Sequence, residues 1–311
     1  MGQDEQGRGG QPVNGDGPGQ EVWVPQSWGE LLDMLFGEAW NPVLHRHRSP
    51  YVFHGGHDAA FTLRTSLQGL GGDLRANERH LLRNFRKYAR NRPSADDSLW
   101  DWLAVGQHHG LPTRLLDFTF SPLVALHFAT RDHQHYDHDG AIWMVNHQLT
   151  NQRLPARLQQ LLREEGSDVF TVELLQQAVD HAGSDRRFTP LALTTLEQLA
   201  PDPFLMFFEP PSLDERIVQQ YALFGLLSDP TARWDEWLQA SSQLHRKIII
   251  PASLKWQVRD HLDQANVNER TLFPGLGGLA RWLRLYYSEA EVPEPDRERS
   301  HDEEMEAAES E

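Results

Sequence analysis

"VGQHHGLPTRLLDFTFSPLVALHFAT", Val105 to Thr130, sets two adjacent histidines, an arginine, an aspartate and several hydroxyls in a segment that otherwise reads as buried. Burying a polar group without a partner costs on the order of 1 to 3 kcal/mol. These side chains therefore have either internal partners or a ligand. Ser121 followed by Pro122 is an N-cap and first-turn pair, so "SPLVALHFA" is predicted as a helix. Its free N–H groups point back toward Thr119 and Ser121, and a helix N-terminus is a ready anion site. A plain, well-capped core helix is the competing reading. Arg114 and Asp117 are close enough in sequence to pair across a turn; alternatively, Arg114 clamps a ligand phosphate. His108 and His109 cannot both face one way in an extended segment, so at most one points into a pocket.

Two other segments carry similar intrusions. "SPYVFHGG", Ser49 to Gly56, reads as a core strand that ends on His54, Gly55 and Gly56. The missing side chains at the glycines allow a ligand or another backbone to come close. In "ERIVQQYALFG", Arg216 and Gln220 stand four apart and share a face if the segment is helical; if it is extended, Gln220, Ala222 and Phe224 point one way. Asp214 and Glu215 are the only acids nearby. His54, Gln107, Arg114 and Gln220, each a polar residue in an apolar run, are predicted to line one cleft.

Composition narrows the chemistry. The 311 residues include no cysteine, which excludes disulfides, thiolate metal sites and a catalytic thiol. No apolar run approaches the roughly 18 to 20 residues of a membrane span, so a soluble, cytoplasmic protein with no membrane partner is expected. The net charge is −16, of which −9 falls on residues 288–311. That acidic tail is expected to be solvated and disordered, with docking to a basic partner as the alternative. An acidic total also argues against passive coating of nucleic acid. "DHQHYDHDG", with His133, His135 and His138, has a metal-binding composition but no recognisable ligand spacing, so no metal is expected. There is no P-loop, no strand-following GxGxxG and no GxSxG elbow, and "GLGGLARW" is expected to be a turn.

Along the chain, residues 1–21 read as a disordered leader, and structure begins at "EVWVPQSWGELLDMLFG" with a Ser27/Glu30 capping box. "NERHLLRNFRKYARNR" is an amphipathic helix with Leu81, Leu82, Phe85 and Tyr88 on its apolar face. "GAIWMVN" and "RKIIIPASLK" read as strands. Residues 151–200 look like a helical insertion, with glycine stops after "ARLQQLLREE" and "TVELLQQAVDHA".

Four blocks, "YVFHGG" with "FTLRTSL", "GQHHGLPTRLLDFTFSPLVALHFA", "RIVQQYALF" and "TLFPGLGGLARWL", resemble the FRG domain across about residues 22–287. Two positions depart from the family: its naming arginine is His54 here, and a glycine usual after its glutamine is Ala222. The family is similar to ADP-ribosyltransferases, and the resemblance implies an α+β fold with a small split β-sheet core and helices around it. It implies NAD as substrate, cleavage of the nicotinamide bond, and transfer of ADP-ribose to an unnamed protein, nucleic acid or water. In that resemblance His54 holds the NAD, Thr119 and Ser121 match a hydroxyl-bearing strand before a helix, and Gln220 or Glu215 takes the place of a catalytic glutamate. Gly55, Gln107, His108 and Arg114 would complete the cofactor-binding set. The alternative is a catalytically silent module that uses the same cleft to bind a nucleotide or peptide.

Overall fold

Near-continuous apolar runs such as Gly140–Asn146 and Leu205–Phe208 dictate a sheet with both faces covered, and this is what the computed structural model contains. It describes residues 13–14, 21–89, 98–179, 191–211 and 215–289. Ten strands occur there: β1 (Val13–Asn14), β2 (Glu21–Trp23), β3 (Trp40–Asn41), β4 (Arg46–His47), β5 (Tyr51–Gly56), β6 (Leu115–Thr119), β7 (Gly140–Asn146), β8 (Leu205–Phe208), β9 (Ala222–Leu227) and β10 (His245–Ile250). β3 and β4 form a small hairpin; the rest make one sheet in the order β1-β2-β10-β7-β5-β6-β9-β8. β2 runs parallel to β10 and every other pairing is antiparallel.

The class is α+β, as expected, but the strands form one mixed sheet rather than two small ones. Its weak point lies in the middle. β5 is registered with β7 along its whole length, whereas β5 and β6 meet at the single pair Phe53–Thr119. Beyond that pair the two strands part.

Side-chain alternation then assigns the faces. Val52, Trp143, Phe118, Leu223 and Trp234 belong to one apolar cluster that spans both halves of the sheet. The opposite face carries two separate clusters. Phe53, Ile142 and Met144 pack under the helices Trp28–Phe36, Pro122–Thr130 and Lys255–Gln264. Leu115, Met206 and Phe224 pack under Leu99–His108 and the helices of the 151–200 segment. The described helices of that segment complete this part of the core. A seam is left between the two clusters, above the parted strands.

Several local expectations change. The helix expected over residues 77–92 is Leu74–Tyr88; Arg90 to Arg92 lie outside the described residues. Leu82 on it is buried, but so is Glu78, while Tyr88 is exposed. Gly166 ends its helix in the left-handed conformation, φ 68°, as a C-terminal glycine should; the second stop, at Gly183, lies outside the described residues. "GLGGLARW" is no turn: Leu276–Tyr286 is helical, and a Cβ on Gly278 would stand 1.8 Å from the Phe273 carbonyl oxygen. Gly278 is there to let that helix sit against the preceding chain. Within the expected leader, Val13–Asn14 pairs with Glu21 and Val22; the rest of it, and residues 290–311 of the acidic tail, lie outside the described residues.

Candidate functional site

The seam holds a cavity of about 270 Å³, lined among others by Phe53, His54, Gln107, Asp117, Thr119 and Gln220. His54 sits where β5 and β6 part. Its Nδ1 lies 2.7 Å from the Asp117 carbonyl oxygen, a backbone acceptor on the β6 edge that β5 does not reach. A carbonyl only accepts, so Nδ1 carries the hydrogen and Nε2 is the acceptor of the neutral ring. Burial lowers the His54 pKa from its ordinary value against the opposing pull of that carbonyl, so the ring is neutral at neutral pH. Phe118 and Trp143 flank the imidazole, with ring centroids at 5.5 and 5.7 Å.

A polar relay fixes the adjoining wall. Thr113 Oγ1 donates to Gln107 Oε1 at 2.5 Å, and Gln107 Nε2 donates to Asp117 Oδ1 at 3.0 Å. The relay determines which way the amide faces and holds the carboxylate in one orientation. His108 also lines the cavity and His109 does not, but the segment is not extended as expected: His108 ends the helix Leu99–His108 and His109 caps it. Asp117 is the only carboxylate among the cavity's described lining residues.

Gln220 answers the question its sequence left open. The helix Glu215–Gln219 ends before it and β9 begins at Ala222, with Tyr221 between them at φ 47°. This left-handed turn is uncommon for a residue with a side chain. Gln220 Nε2 donates to the Leu272 carbonyl at 2.9 Å, leaving its amide oxygen as the remaining acceptor. Thr119 Oγ1 donates to the Gln220 carbonyl at 2.8 Å and accepts from Ser121 N at 3.0 Å. Its hydroxyl therefore joins the end of β6 to the Gln220 turn.

Four expected site residues stand elsewhere or act otherwise. Arg114 does not line the cavity and does not pair with Asp117. Three residues apart along extended chain, the two point to opposite sides. Arg114 is buried: its Nε lies 3.0 and 2.9 Å from the two Glu78 carboxylate oxygens, Nη1 donates to Ser228 O at 2.6 Å and Nη2 to Glu197 Oε1 at 3.0 Å. Burial works against its charge, but Glu78 and Glu197 outweigh it and raise the Arg114 pKa. Ser121 caps its helix by accepting from Val124 N, and is absent from the cavity lining. The end of that helix at the cavity is the C-terminal one, through Phe128 and Arg131, so its dipole offers no anion site there. Gly55 does line the cavity, yet a Cβ there would lie 2.0 Å from the Ala125 carbonyl oxygen. The close approach it permits is that of a helix backbone. Glu215 lines a neighbouring groove with Arg216, Phe273 and Arg281, apart from the His54 cavity.

Sequence reasoning missed Arg131, Arg216 and Phe128 as lining residues, and Glu78 as the partner of Arg114. Glu78 had left a signal. It stands on the apolar face formed by Leu81, Leu82 and Phe85, at spacings of three, four and seven, and a carboxylate there demands a buried cation.

No curated protein and no solved structure matches the chain. The family model of the FRG domain matches residues 49–138, a span that holds His54, the Gln107–Asp117 relay, Thr119 and Arg131 and leaves Arg216 and Gln220 outside. Residues 49–138 therefore match the FRG domain, and the histidine-bearing wall of the cavity lies inside that match.

Proposed function

We propose that the His54 cavity binds NAD and that the protein cleaves its nicotinamide–ribose bond, the reaction class of ADP-ribosyltransferases. One observation carries this reading. His54, Thr119 and Gln220, which come from three separate segments and which the resemblance assigns to the three superfamily positions, line one cavity above the parted strands β5 and β6. The volume of about 270 Å³ lies just under the roughly 300 to 1,000 Å³ usual for small-molecule sites. It suits the nicotinamide riboside end of a dinucleotide, with the remainder outside near Arg131 and Arg216.

In this reading Phe128 and Phe224 supply apolar walls for the pyridinium ring, and His54 Nε2 accepts from the carboxamide or a ribose hydroxyl. Scission sends the bonding electron pair to the nicotinamide nitrogen and leaves positive charge on the ribose. The Asp117 carboxylate, oriented by Gln107, offsets that charge, and Gln220 takes the glutamate position with an amide oxygen. The acceptor, a protein, nucleic acid or water, then bonds to the ribose carbon and gives up a proton.

A second reading, a binding module without turnover, is favoured by one feature: the Gln220 amide is tied to Leu272 O and bears no charge. Melting curves with and without NAD, together with assay of nicotinamide in solution, separate the two. Stabilisation with nicotinamide release supports the enzyme, stabilisation without release supports the module, and neither effect rejects NAD as ligand.

A further inference from the structure

We infer that the groove beside the cavity is a binding site for a phosphate-bearing ligand, built by Arg131, Arg216, Arg281 and Arg284. The four line a recess of about 440 Å³, and Arg131 and Arg216 also line the His54 cavity, so the two spaces adjoin. In a chain of net charge −16 such a concentration of guanidinium groups is not a product of composition. It has to be held against its own repulsion, and the structure contains the means.

The carboxylates in the recess are already engaged. Glu269 is bound through both oxygens to Arg259 Nη2 at 2.9 and 2.8 Å, and Asp132 Oδ2 lies 3.0 Å from His135 Nδ1. Among the described residues, no carboxylate forms an ion pair with any of the four arginines. Arg216 Nε is buried and has no hydrogen-bond partner among the described residues, a donor kept dry and unspent. Desolvation in the groove, and then the like charges of Arg216 and Arg281, lower the Arg131 pKa from its ordinary value.

Aromatic rings fix the cations in place. The Arg216 and Arg281 guanidinium carbons lie 4.9 and 5.0 Å from the centroid of the same ring, Phe273, and Arg131 lies 5.4 Å from that of Phe128. Gly278 lets the helix bearing Arg281 and Arg284 sit against the chain at Phe273. Planar guanidinium forks held this way match phosphate oxygens in pairs, and a recess lined by one sign of charge concentrates its field.

The site stands on this geometry and not on NAD turnover in the cavity. Its phosphate can come from the diphosphate of a dinucleotide in the cavity or from a second, phosphorylated substrate. Calorimetric titration of the full chain with inorganic pyrophosphate is the test, with the Arg281→Gln/Arg284→Gln variant beside wild type and melting curves to confirm that both are folded. Expected are saturable binding to wild type, weakened by salt, and an affinity lower by about tenfold or more in the variant. No binding to wild type, or equal binding by the two, overturns the inference. Competition between pyrophosphate and NAD assigns the groove to the dinucleotide's own diphosphate; simultaneous binding assigns it to the second substrate. His54→Ala is expected to keep pyrophosphate binding, so failure of the NAD reading and failure of the groove are told apart.

Discussion

Replacing Glu78 with glutamine keeps the volume of the side chain and removes its charge. Arg114 and Glu78 are 2 % and 1 % exposed, so water does not replace what is lost. Two Arg114 nitrogens address the Glu78 carboxylate. A glutamine offers one acceptor oxygen and turns an NH2 group toward a guanidinium that has no acceptor. Breaking a buried pair from one side costs about 3 to 5 kcal/mol. Glu197, at 3.0 Å, and Ser228 O, at 2.6 Å, remain and hold part of the charge, which places the expectation at the lower end, about 3 kcal/mol. For a chain of this size that is a fall in melting temperature of roughly 5 to 10 °C. Asp117→Asn is the contrast. Asp117 is exposed and joined to Gln107 alone among side chains, so its stability effect is expected within about 0.5 kcal/mol. Calorimetric melting of both variants checks the pair. If Glu78→Gln melts with wild type while Asp117→Asn falls by several degrees, the assignment of Arg114 to the core is refuted.

Gly55→Ala would push a Cβ to 2.0 Å from the Ala125 carbonyl oxygen and is expected to cost about 1 to 3 kcal/mol in urea denaturation; an unchanged midpoint would show that the helix does not press on β5 there. Stability is expected to fall as pH drops from about 7.5 to 5.5. Burial lowers the folded pKa of His54, His127, His147 and His245, so through the unfolded value near 6.5 the unfolded chain takes up protons that the folded chain does not. Each histidine that stays neutral in the fold contributes up to about 1.4 kcal/mol per pH unit below that value. A urea midpoint equal or higher at pH 5.5 would contradict it.

The strands and the helix after Ser121 could be read from the chain because their signals are local: a β-rich run closed by two glycines in "YVFHGG", an apolar run in "GAIWMVN", and a Ser-Pro start. His54, Gln107 and Gln220 were legible as cavity-lining residues for a related reason, each a polar residue in an apolar run. Arg114 met the same criterion and proved to be core. Only its distant partner Glu78, 36 residues earlier, separates a satisfied guanidinium from a waiting one. Arg131, at the end of its helix, Arg281, in a stretch read as a turn, and Arg284, just beyond it, gave no polar-in-apolar signal at all. Their convergence with Arg216 brings together three segments far apart in sequence, and no local pattern encodes it.

Release of nicotinamide from NAD by wild type and by His54→Ala, each first shown to be folded, tests the central claim most directly. Release by wild type and its loss in the variant are expected, because the proposed mechanism uses His54 Nε2 as an acceptor for the ligand. Release at equal rates by the two proteins, or no NAD binding by wild type, would contradict it.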